Sequence, residues 1–251
     1  MLPTLAADLV RRKVAVIVTP GAPATTAAKA GTTTIPVAFI LSEDPVKHGF
    51  VASLSRPGGN ITGVNFLSNE LAAKRLEFLR ELVPRTARIA VLVNPAETMR
   101  TTSTLQEVEP AAHAIGLEVK VFNANTHQDI DAAFKTIGSE QHHAVFVAGT
   151  PFLNVRVVQL ALLAMFYRLP VTHGLREYCE AGGLMSYGSN LGDAYRQCGV
   201  YVGRILKGTN PAELPILQSS KVELVINAFA ARLLGLNIPQ TLLVSADEVI
   251  D

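Results

Sequence analysis

The residues of this chain that could engage another molecule stand just behind short runs of β-branched side chains. After Val14–Val18 comes Thr19-Pro20-Gly21-Ala22-Pro23-Ala24. Gly21 permits a tight turn, and a helix starting there would offer free N–H groups to an anion, with Thr25 and Thr26 adding hydroxyls. Pro20 and Pro23 lack an N–H, which weakens such a cradle and keeps an ordinary strand-to-helix turn open as the competing reading. After Ile35–Ile40 comes Ser42-Glu43-Asp44-Pro45. The Asp44 carboxylate accepts only, which suits a ligand ammonium; its alternative role is to cap the next helix. Asn94-Pro95 follows Arg88–Val93, and Gly149-Thr150-Pro151-Phe152 follows Ala144–Val147. Gly149 and Thr150 can present backbone and hydroxyl donors. Phe152 can stack on an apolar ligand or simply start a helix as a core residue. Arg176, after Pro170–His173, can fork onto a carboxylate or join a surface ion pair.

That chemistry is holding rather than turnover. Gly58-Gly59 and Gly182-Gly183 are turn glycines without GxGxxG or Walker spacing. There is no GxSxG nucleophile elbow. His142 and His143 are adjacent, a spacing that does not put two ligands on one helix face, so no metal and no cofactor is expected. His173 reads as a satisfied structural histidine. Cys179 and Cys198 read as buried thiols, with a disulfide open to them only if the fold brings them together. No catalytic residue is nominated, and the chain is not read as an enzyme.

The chain has 251 residues, 49% hydrophobic and 17% charged, which is enough apolar material for a packed core and rules against disorder. A formal net charge of +1 leaves no electrostatic footprint for nucleic acid or anionic lipid. No apolar run approaches the ~20 residues that span a bilayer, so no membrane insertion is expected. The opening Met1-Leu2-Pro3-Thr4-Leu5 lacks the basic and apolar regions of a signal peptide.

The elements that must position these loops alternate along the chain. The runs already named, with Glu118–Phe122 and Leu184–Tyr187, read as buried parallel strands, and Glu223–Asn227 as a further short one. Helical spacing predicts helices over Pro3–Arg12, Ser68–Val83, Thr98–Ile115, Thr126–Ser139, Phe152–Tyr167 and Leu191–Lys207, with Ser68 and Glu70 at an N-cap. Alternation of this kind implies right-handed βαβ units, and turn clusters at Ser53–Gly63 and Lys207–Pro215 suggest two α/β lobes. In open sheets of this type, ligands bind outside the carboxyl ends of the strands, which is where the loops above lie.

Six stretches are familiar together. They are Asp44-Pro45-Val46, Ser55–Val64 (SRPGGNITGV), Leu71–Glu77 (LAAKRLE), Ala90–Pro95 (AVLVNP), Gly182–Gly188 (GGLMSYG) and Tyr201–Gly208 (YVGRILKG). In this order, over essentially the whole chain, they resemble the family of ABC transporter substrate-binding proteins that includes tryptophan-binding relatives. The resemblance implies a type I periplasmic-binding-protein-like fold, two Rossmann-like lobes with parallel sheets joined by a three-strand hinge. Crossings are expected near Val64–Phe66, Tyr187–Ser189 and Leu214–Ile216. Lobe one is then residues 1–64 with 189–214, and lobe two 65–188 with 215–251. Tyr187, at a crossing, becomes a wall of the interlobe cleft.

The implied function is the solute-binding component of an ABC importer. It captures a small molecule reversibly, an amino acid or other small, possibly aromatic, carboxylate, and delivers it to an ABC permease from a periplasmic location. Family members carry a signal peptide and then strand, helix and strand ahead of the segment matching Leu2–Arg12. From that comparison the first lobe is expected to lack its first strands, and the uncovered edge Val14–Val18 to pair in a homodimer. Two other readings stay open: a truncated remnant that no longer binds, and an α/β enzyme with an unrecognised cleft site.

Overall fold

The computed structural model describes residues 1–66, 71–140, 144–219 and 221–251. The chain divides into two compact units, Met1–Leu67 with Asn190–Lys221, and Ser68–Ser189 with Val222–Asp251.

The first unit opens with α1 (Leu2–Arg11), then β1 (Ile17–Pro20), α2 (Ala22–Gly31), β2 (Val37–Leu41) and β3 (Ile61–Phe66). Later the chain supplies this unit with α9 (Leu191–Leu206) and β9 (Leu217–Ser219). The four strands run parallel in the order β1-β2-β3-β9. β2 is buried on both faces, as a central parallel strand must be. Val37, Phe39 and Leu41 pack with Ala22 and Ala28 of α2, while Ala38 and Ile40 pack with Ala194 and Cys198 of α9. Phe39 pairs with Gly63, where a Cβ would lie 2.2 Å from the Phe39 carbonyl oxygen and 2.6 Å from its ring. The glycine is what admits the aromatic.

The first strand starts three residues later than Val14–Val18. Lys13 turns left-handed at φ 52, and the N–H groups of Lys13 and Val14 close back on the Val10 and Leu9 carbonyls. Val14 is thereby part of the turn that ends α1, not of the strand. β1 lies at one end of the strand order, with Val18 exposed.

The second unit contains α3 (Ala72–Leu82), β4 (Arg88–Val93), α4 (Thr98–Ala114), β5 (Glu118–Asn123), α5 (His127–Ser139) and β6 (Ala144–Val147). There follow α6 (Pro151–Asn154), α7 (Val157–Phe166), β7 (Val171–His173), α8 (Arg176–Glu180) and β8 (Met185–Ser189). The chain returns with β10 (Val222–Asn227), α10 (Ala228–Leu233), α11 (Gln240–Ser245) and β11 (Glu248–Ile250). The seven-stranded sheet runs β11-β10-β8-β7-β6-β4-β5, parallel from β5 to β8, with β10 antiparallel to β8. Its core is one cluster centred on β4 and β6, with Leu76, Leu79, Ile130, Phe134 and Leu160 closing over the strands from the helices.

The helix expected over Phe152–Tyr167 is two, α6 and α7, because the chain leaves helical geometry at Val155–Arg156. The Ser68 and Glu70 cap and the pair His142-His143 lie outside the described residues. β9 pairs with β3, so residues 215–221 stay with the first unit, whereas the sequence reading gave them to lobe two. Among the described residues no helix is long and apolar enough to cross a membrane.

Candidate ligand-binding loops

In the first unit the loops after β1 and β2 are held in place by Thr19, Gly21, Asp44 and Asn65. Thr19 is buried, and its hydroxyl meets that of Thr25 at 2.9 Å, which ties β1 to the first turn of α2. Gly21 sits at φ 78, a backbone conformation that favours glycine, and its N–H donates to the Ile40 carbonyl at 2.9 Å. That N–H is thus spent on β2. Pro23 has none and the Thr25 N–H closes on the Gly21 carbonyl, so the first turn retains those of Ala22 and Ala24. Ala22 itself is buried.

Asp44 is exposed and caps its own turn. One carboxylate oxygen accepts the N–H of Val46 at 2.8 Å and that of Lys47 at 3.1 Å. The residue that fixes this loop is Asn65, buried in β3, whose side-chain amide donates to the Leu41 carbonyl at 3.1 Å and the Glu43 carbonyl at 2.8 Å.

In the second unit the strand order reverses between β4 and β6: β5 lies to one side of β4, while β7 and β8 continue on the other side of β6. Such a reversal separates two loops at the carboxyl edge and opens the position where open α/β sheets take ligands. Asn94 ends β4 and Gly149-Thr150 follows β6, one on each side of it. They are joined by Glu97. A single carboxylate oxygen of Glu97 accepts from the Asn94 amide at 2.7 Å and from the Phe152 N–H at 3.3 Å. Arg100, in the first turn of α4, donates to the Gly149 carbonyl at 2.6 Å. Thr150 is buried and caps α6 by accepting the Leu153 N–H at 3.3 Å. Phe152 is half-buried and packs against the core of this unit, and the Arg156 guanidinium lies over its ring at 3.8 Å from the centroid.

Beneath this edge lies a buried cation. The Arg75 guanidinium sits 3.8 Å from the Phe146 ring centroid and donates to the Val147 carbonyl at 3.2 Å. Burial pulls its pKa down to about 9, opposed by the charge of Glu107, so it remains a cation at neutral pH. Gly174 gives it room, since a Cβ there would come 2.8 Å from the guanidinium. His173 lies alongside. Its Nδ1 accepts the Leu175 N–H at 3.0 Å, which puts the proton on Nε2, and its ring stacks on Tyr178 with centroids 5.5 Å apart. Burial, and then the charge of Arg75, lower it to about 3, so the imidazole is neutral.

The remaining candidates stand elsewhere. Arg176 is committed to three carboxylates, Glu180 at 2.9 Å, Glu248 at 2.7 Å and Glu223 at 3.3 Å. Those bonds raise its pKa and tie α8 to β10 and β11, which is the ion-pair role rather than a fork for a ligand. Tyr187 is half-buried in β8, its ring edge-on to Phe78 at 5.0 Å. Cys179 and Cys198 are free, buried thiols. Burial raises them to about 12 and about 11.

Sequence reasoning therefore named Asn94, Gly149, Thr150 and Phe152, which the fold brings together, and missed Glu97, Arg100, Arg75 and Asn65. Glu97 carried a signal, an acidic residue three positions after Asn94 at the head of a helix.

Comparison with known proteins agrees with this architecture. The ABC domain from Streptococcus pneumoniae, solved in complex with L-Trp, superposes with a TM-score of 0.86 at 26% identity, covering 99% of this chain and 83% of that one. A conserved domain protein from Vibrio cholerae gives 0.86 at 27%, covering 99% and 82%. A tyrosine-binding protein of Clostridioides difficile is 23% identical over 228 residues, 89% of this chain, and the alignment spans 64% of that relative's length. The family model described as ABC transporter substrate binding protein matches residues 2–250, and the chain belongs to that family.

Proposed function

We propose that this chain is the solute-binding component of an ABC importer, and that it captures an aromatic amino acid or a related small carboxylate reversibly. The observation that carries the reading is the joined pair of loops at the strand-order reversal, where Glu97 holds Asn94 and the Phe152 backbone on one oxygen. Loops locked to each other in the free protein lose little freedom on binding, which favours affinity. The half-exposed side chain of Phe152 suits an aromatic ligand. The names of the similar proteins, one in complex with L-Trp and one tyrosine-binding, support the same ligand class. Thr19, Gly21, Ala22 and Asp44 stand at the corresponding strand ends of the first unit and complete the candidate set. By family, the partner is a membrane permease and the place of action lies outside the cytoplasm.

Binding without turnover fits the ionisable groups near these loops. The histidine beneath them, held neutral down to about pH 3, is far from the poise that acid–base work near neutrality needs.

The test is a thermal-shift panel of L-tryptophan, L-tyrosine, L-phenylalanine and small aromatic acids, followed by calorimetric titration of any hit. A ligand at 100 times its dissociation constant adds about 2.7 kcal/mol, which is readily visible. A cooperative melt that no member of the panel moves would overturn the aromatic assignment.

A further inference from the structure

The outer face of α7 is apolar and uncovered. Val155, just before the helix, is 77% exposed; Val158, Leu162 and Phe166 are 59%, 65% and 78% exposed. The last three recur every four residues and so form one ridge, while Leu160, Ala161 and Ala164 face the core. No residue of Val157–Phe166 is charged. Two polar side chains at its border, Gln159 and Arg156, are engaged within the chain. Gln159 donates to Asp131 at 2.8 Å and to the His127 carbonyl at 3.0 Å, and Arg156 turns back onto Phe152. Between Val158 and Phe166 the ridge thus offers an approaching surface only hydrocarbon.

We propose that α7 is the interface through which two copies of this chain associate. The four side chains expose roughly 500 Å² per copy, at the upper end of what a monomer leaves uncovered in one patch. Two such patches bury roughly 1,000 Å² before any rim is counted, the least that a specific interface needs. A ridge of residues four apart packs into the grooves of an identical ridge at a crossing near −50°. A two-fold axis passing beside Leu162 sets the ridge against itself, Val158 meeting Phe166 of the other copy.

Sedimentation velocity of the purified chain, ligand-free, from micromolar to sub-millimolar concentration is the test. A concentration-dependent dimer is expected. Leu162→Glu combined with Phe166→Glu raises its dissociation constant about 100-fold, while melting curves taken at a concentration where both chains are monomeric coincide, because both side chains stand in solvent. Leu162→Cys forms a disulfide-linked dimer under mild oxidation, whereas Val18→Cys on the β1 edge does not; the two native thiols are buried. A chain monomeric throughout the range overturns the proposal, as does a dimer that the glutamates leave intact or that links through position 18 instead.

Discussion

Glu97 and Phe152 are 55 residues apart in sequence, yet the Glu97 carboxylate accepts the Phe152 N–H at 3.3 Å, and the same oxygen holds the Asn94 amide. One acidic side chain thereby sets the spacing of two loops that neither strand could fix alone. Glu97→Ala leaves both donors without their acceptor. The expected loss is about 1–3 kcal/mol of stability by urea unfolding, with about a tenfold loss of affinity for the best ligand of the panel. Glu97→Gln keeps an acceptor in place and should recover most of the stability.

Arg75→Lys is not a mild change at its site. An ammonium cannot lie flat on Phe146 while reaching the Val147 carbonyl, as the guanidinium does. A cost of about 2–4 kcal/mol in chemical denaturation is expected, with the fold otherwise retained. Arg75→Met, which fills the space without a charge, should cost less than Arg75→Lys.

His173 makes stability fall in mild acid. Its folded pKa, about 3, lies below the usual 6.5, so between these values the unfolded chain carries a proton that the folded chain does not. Unfolding then takes up a proton, and stability drops as pH falls from about 6.5 toward 3, by at most about 1.4 kcal/mol per pH unit from this group. His173→Asn keeps a side-chain acceptor for the Leu175 N–H and cannot titrate. Its stability between pH 6.5 and pH 4.5 should be flatter than that of the unaltered chain, which parallel urea melts would show.

Gly63→Ala should be among the most damaging single changes in the first unit. The new Cβ would meet the Phe39 carbonyl at 2.2 Å, and that backbone is the middle of β2. A loss of more than about 3 kcal/mol, or failure to accumulate folded protein, is expected. Pairing it with Phe39→Leu relieves the ring contact but not the carbonyl, so it should rescue little.

Much of this was legible from residue patterns. Arg88–Val93 and Ala144–Val147 are strands with the bounds that their β-branched runs gave. Asn94 and Gly149-Thr150-Phe152 meet because they follow those two strands. Other details depend on local geometry that residue patterns do not carry. Val14 reads as strand but is spent ending a helix whose turn needs Lys13 in a left-handed conformation, which the sequence does not advertise. Asp44 and Arg176 each left two roles open in the sequence, a ligand contact or a bond within the chain. What each one bonds within the chain, its own turn for Asp44 and, for Arg176, Glu180 one helical turn on with the distant Glu223 and Glu248, depends on side-chain geometry. Arg75 was hidden because nothing in a helical pattern marks which basic residue faces inward.

The hydroxyl of Thr62 donates to the Leu214 carbonyl at 2.7 Å, and β3 finds its second neighbour only in β9. On a ribosome those partners are born 152 residues apart. At ordinary elongation rates the nascent first unit waits on the order of 10 seconds with that side of its sheet open, while the second unit is being made. Holding factors that mask a bare strand edge should therefore matter most while residues 67 to 214 are translated. A message cut short in that window yields a protein whose first sheet cannot close.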